Sequence, residues 1–120
     1  MTWSATGSFL MALAVVLGAF GAHGLRGRLD AYSMSVYEKA VLYHFLHALG
    51  ILIVSALPRT AVLPEKSAAA VCAVLLAGIV FFSGSLYLLA LGSRWWGAVT
   101  PIGGVAFLAG WLLLAWYLRR

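Results

Sequence analysis

The sequence predicts an all-α integral membrane fold, a bundle of four transmembrane helices running up and down and joined by short loops. Three observations predict it. Hydrophobic residues fill 64% of the 120 positions, and mean hydropathy is +1.02. Charged residues make up only 9%, against about 25% in an ordinary soluble domain, too few to keep a soluble surface wet. Finally, four apolar runs reach the roughly 20 residues that a bilayer crossing needs, and the short breaks between them hold nearly all the charge. Residues 1–120 are therefore read as one transmembrane domain, with spans at about 3–22, 36–57, 67–91 and 98–118.

The first span has a rival reading as a secretory signal, because "GAFGAHG" offers small residues of the kind found at cleavage sites. The preceding "MTWSATGS" lacks the Lys or Arg of a signal's leading region, so the run is read as a retained span. The second span opens on Ser35-Val-Tyr-Glu38, which fits a capping box, and Pro58 stops it. The third follows "PRTAVLPEK". The fourth opens on Thr100-Pro101, an N-cap followed by proline where a missing N–H costs nothing. Trp95 and Trp96 precede it, while Trp116, Tyr117, Arg119 and Arg120 close the chain, as interfacial residues do.

The formal charge of +5 comes from basic residues scattered singly. They form no stripe that could track phosphates, which argues against a nucleic-acid partner. Lone Cys72 reads as a small packing residue. Four spans put both termini on one side, A, with Arg59, Lys66, Arg119 and Arg120; the opposite side, B, has Arg26, Arg28, Arg94 and Lys39. Discounting Lys39, at a helix start, leans the termini toward the cytoplasm.

Polar residues are graded by depth. "VYEKAVLYHFLHALGILIVSAL" carries Glu38, Lys39, His44 and His47 at its B end and nothing ionisable beyond. Helix 1 ends on that side at His23; helix 3 brings Ser83, Ser85 and Tyr87; helix 4 brings Thr100 and the bare backbone of Gly103 and Gly104. The other half reads as Leu, Val, Ala and Trp. Ionisable groups at membrane depth face the bundle interior or water, so a polar pocket or solvated cleft is expected in the B half. Lys39, Tyr43 and His47 recur at intervals of four and share a face, with Glu38 turned toward Arg26, Arg28 or His23. For each histidine the ordinary reading is interhelical glue; proton or solute handling and metal or haem ligation are the alternatives. His44 and His47 could meet one metal, but no Cys or second carboxylate joins them at ligand spacing, so neither a metal nor any other cofactor is assigned.

Small residues form the other pattern. Gly18, Gly21 and Gly24 run at intervals of three at the end of the first span and just past it. Gly84 lies in the third, and Gly103, Gly104 and Gly110 lie in the fourth. Such residues let membrane helices approach closely. "GAFGAHG" is no dinucleotide fingerprint, since no strand precedes it.

The stretches "GAFGAHGL" (18–25), "YHFLHALGIL" (43–52), "FSGSLYLLALG" (82–92) and "TPIGGVAFLAGWLLLAW" (100–116) resemble the YgdD-like family of small inner-membrane proteins, a domain of unknown function. The resemblance implies a four-span protein of the bacterial inner membrane and no established activity. It also implies that His23 and His47 match family histidines, while His44 stands where Gln is commoner.

Three classes of function follow. The first is an accessory or structural membrane component, whose partners are lipids and either further copies of itself or a larger membrane complex. It rests on the lack of a catalytic residue set and leans away from an enzyme. The second is a small solute or proton transporter, although helix 1 lacks the acidic residue of small multidrug transporters. The third is a membrane redox module on His23, Tyr43, His44 and His47.

Overall fold

The computed structural model describes residues 1–119; Arg120 lies outside the described residues. Among these every regular element is helical. Helix α1 covers Trp3–His23, α2 Ala31–Ala56, α3 Glu65–Gly78, α4 Gly84–Ala90 and α5 Thr100–Leu118. A π-helical segment, Ile79–Ser83, joins α3 to α4 without a break, so these make one long span. Four helical stretches are long and apolar enough to cross a membrane: Trp3–His23, Ala31–Thr60, Glu65–Ala90 and Arg94–Leu118. The longest molecular dimension is 49 Å, which matches the roughly 40–45 Å of a bilayer with its head groups.

Two expected helix starts are corrected. The second helix begins at Ala31, a turn and more before Val36, because Asp30 caps it by accepting the Ser33 N–H at 2.7 Å. Ser35 and Glu38 are thus ordinary positions inside the helix. Thr100 is not a side-chain cap: α5 is entered from the 3-10 turn Arg94–Ala98 through Val99, which has helical dihedrals. Pro58 acts as expected. It ends α2 and sits in the first turn of a 3-10 segment, Leu57–Thr60. The tight reversal after α4 uses Gly92 at φ +111, where any Cβ would be strained.

The helices pack in a chain of neighbours: α1 on α2, α2 on both halves of the third span, and that span on α5. α2 and the third span form the centre, whereas α1 and α5 leave most of their apolar surface outward. Two apolar clusters result. One, toward the A end, contains Ala48, Ile51, Val54, Val71, Cys72, Leu75 and Phe107. The other, at the B end, contains Leu25, Val36, Tyr37, Ala40, Leu86 and Ala90. Buried His44, His47 and Ser83 fall between them along the chain.

Glycines make the close approaches. A Cβ at Gly21 would run into the Tyr37 ring, at Gly78 into Phe107, and at Gly103 into the Phe82 backbone. At Gly110 it would stand 2.7 Å from Leu75, whereas Gly18, Gly84 and Gly104 leave ordinary room. A Cβ at Gly24 would meet Phe20 of its own helix end rather than a neighbouring helix.

Candidate functional site

Polar side chains of neighbouring spans meet inside the bundle, and local chemistry fixes how they are used. His44 Nδ1 lies 2.9 Å from Tyr87 Oη, joining α2 to α4. The phenol proton has this nitrogen as its acceptor, which leaves the proton of a neutral imidazole on Nε2. That Nε2 is buried without a hydrogen-bond partner. His47 is held differently. Its Nδ1 stands 2.7 Å from the Tyr43 carbonyl one turn back, which can only accept, so Nδ1 carries the proton and Nε2 the lone pair. Its ring stacks on Phe107 of α5, centroids 3.5 Å apart and planes within 15°.

Tyr43 extends this aromatic group. Its ring lies 4.6 Å from Phe82 and stacks 5.9 Å from His47. Tyr43 and His47 thus share a face, as their spacing implies, although Tyr43 is 38% exposed and His47 is buried. Nearer the B end, Ser85 Oγ lies 2.9 Å from the Phe82 carbonyl and 2.7 Å from Thr100 Oγ1, which in turn reaches the Trp96 carbonyl at 3.4 Å. The bond between Ser85 and Thr100 ties α4 to the start of α5. Ser83, in the π segment, is fully buried and its hydroxyl has no partner.

One functional-looking residue escaped the sequence reading. Tyr37 Oη donates to the Leu17 carbonyl of α1 at 2.5 Å. The readable signal was Gly21, since its missing Cβ is where the Tyr37 ring lies.

Other expected members stand apart. His23 and Glu38 are exposed. Glu38 lines a groove of about 140 Å³ with Gly18, Gly21, Met34 and Tyr37, and none of Arg26, Arg28 or His23 joins that wall. No group of three or more His, Cys, Asp or Glu among the described residues is arranged to hold a metal.

Toward the B end Leu25, Val36, Tyr37 and Leu86 belong to a buried apolar cluster. An open recess of about 600 Å³ lies elsewhere, at the A end, lined by Thr2, Trp3, Ser4, Ser55, Arg59 and Glu65 among others. That half was expected to be dry. It is not, because Ser4 and Ser55 meet across α1 and α2 at 3.0 Å, and short serines within apolar runs barely alter a hydropathy reading.

Comparison with known proteins places these features in a family. The model described as "Protein of unknown function (DUF423)" matches residues 17–104. A UPF0382 membrane protein of Staphylococcus haemolyticus is 49% identical over 109 residues, covering 90% of this chain and 87% of the relative. One from Staphylococcus epidermidis is 50% identical over 103 residues, covering 85% and 82%. The UPF0382 membrane protein YwdK of Bacillus subtilis is 44% identical over 108 residues, covering 85% and 83%. No solved structure matches.

Proposed function

Starting from the premise that this chain belongs to the DUF423 (UPF0382) family of membrane proteins, the YgdD-like family met above, we propose that it is an accessory component of the bacterial inner membrane, assembling through its outward helices with its own copies or a larger complex. One observation carries the reading: polar side chains inside the bundle tie one helix to the next. Tyr37 holds α1 to α2, His44 and Tyr87 hold α2 to α4, and Ser85 and Thr100 hold α4 to α5. Interhelical bonds of this type stabilise membrane bundles by about 0.6–2 kcal/mol each. The bundle is thereby a rigid body offering two lipid-exposed faces, on α1 and α5. Termini in the cytoplasm fit this reading, because Lys39 lies two turns inside α2, leaving Arg59, Lys66, Arg119 and Arg120 against Arg26, Arg28 and Arg94. Cross-linking in native membranes followed by mass detection tests the proposal. Discrete cross-linked species, of the chain with itself or with one recurring protein, are expected; a chain that stays monomeric and unattached would overturn it.

A second reading, a small solute or proton pathway, is favoured by one specific observation. His44 Nε2 and Ser83 Oγ are buried polar atoms without partners, and such atoms call for an explanation beyond packing. Under this reading, proteoliposomes show a proton or solute flux that vanishes in His44→Phe. Flux equal to empty vesicles removes it.

A further inference from the structure

The donors and acceptors of the recess at the A end are specific in kind. Its walls are the start of α1, the Leu57–Thr60 turn and the first turn of α3, the level of a span's ends where head groups lie. Ser55 Oγ donates to the Leu52 carbonyl at 2.8 Å, and a hydroxyl has one proton, so the 3.0 Å bond between Ser4 and Ser55 takes its proton from Ser4. Ser4 Oγ therefore keeps its lone pairs and is an acceptor toward the recess. The Glu65 carboxylate is a second acceptor, and the Arg59 guanidinium is a donor whose planar fork suits a phosphate. Trp3 lines the same wall, an aromatic at interfacial depth.

A complementary molecule carries an anionic phosphate and, a few bonds away, a cation with N–H groups. We propose that the recess holds the head group of an amine-bearing phospholipid, its phosphate on Arg59 and its primary ammonium on Glu65 and Ser4. A choline head group has no N–H to give these acceptors. A glycerol head group has no cation to place on Glu65 and Ser4, although the Met1 ammonium on the same wall joins Arg59 in offering its phosphate a positive charge. The volume of about 600 Å³ falls within the range of small-molecule sites.

Native mass spectrometry of the purified protein, offered equal amounts of phosphatidylethanolamine, phosphatidylcholine and phosphatidylglycerol, tests the assignment. The wild-type chain should retain phosphatidylethanolamine about tenfold over phosphatidylcholine, the effect of one charge-assisted hydrogen bond. Glu65→Gln should bring that ratio close to one, and Arg59→Gln should weaken all three lipids. Arg94→Gln at the B end should change neither, with circular dichroism verifying that each variant is folded. Equal retention of the three lipids by the wild type would overturn the proposal without any variant, as would a preference that survives Glu65→Gln. Soluble glycerophosphoethanolamine should fail to displace the lipid; displacement at equal concentration would overturn the lipid as the source. None of these outcomes depends on the accessory reading, which the cross-linking tests separately.

Discussion

His44 and His47 stand one turn apart on α2, yet their partners set opposite tautomers. Tyr87 leaves His44 with its proton on Nε2, and the Tyr43 carbonyl leaves His47 with its proton on Nδ1. Neighbouring polar groups should therefore respond differently to removal. Tyr87→Phe deletes the hydroxyl that pairs with buried His44 Nδ1 and should cost about 1–3 kcal/mol, the penalty for stranding a buried polar atom. Ser83→Ala removes a hydroxyl that has no partner, so stability should hold or rise. Unfolding of the two variants in detergent checks this pair, and equal losses would refute it. At the water-facing end of α2, the Ser33 N–H bonded to Asp30 holds that carboxyl below its ordinary value of 3.8. A lowered folded value means that the cap's contribution is present above the ordinary value and is lost as pH falls through the lowered one. Asp30→Ala should therefore melt earlier than wild type at neutral pH, and the gap should close below pH 3.8. A gap that persists in strong acid would rule the cap out.

Among the elements, the π segment Ile79–Ser83 is the least expected and the most consequential. Its wide turn, closed by the Gly84 N–H bonding to the Ile79 carbonyl, sets the Phe82 backbone against Gly103 of α5. Backbone cannot yield as a side chain can, so Gly103→Ala should push α5 away and destabilise by more than 2 kcal/mol, as overpacking does at about 1–3 kcal/mol or beyond. Gly104→Ala meets only the Phe82 ring edge at 3.7 Å and should be tolerated. Comparable thermal losses in the two would count against the close approach. The sequence named both glycines but could not rank them, because the ranking depends on a wide turn that tertiary packing produces and no local signal announces. Helix starts failed for a related reason. Ser35-Val-Tyr-Glu38 satisfies the capping-box pattern, but Asp30 is a good N-cap residue five positions earlier, and the helix takes that earlier cap while its polar first turns remain outside the apolar run.

For the whole molecule, four spans were legible because hydropathy depends on composition over some 20 residues and is insensitive to small errors of boundary. Where the recess lies was not, since it arises from three helix ends meeting. The helices also differ in how far they are enclosed: α2 and the third span are central, while α1 and α5 turn apolar side chains outward. On α5, Val105 and Leu112 are exposed, and Ala109 lies between them on the same face. A face that meets only acyl chains tolerates any apolar volume, whereas one packed on a partner helix needs its small residue. Ala109→Trp therefore separates intrinsic folding from assembly. Under the accessory reading, its melting temperature should equal the wild type's, because Ala109 is exposed in the single chain, while the yield of cross-linked species falls several-fold. Phe9→Trp on α1, another exposed position, extends the comparison to the opposite face and shows which of the two helices meets the partner. Unchanged cross-linking in both variants would leave these faces to lipid and remove the ground for assembly through them.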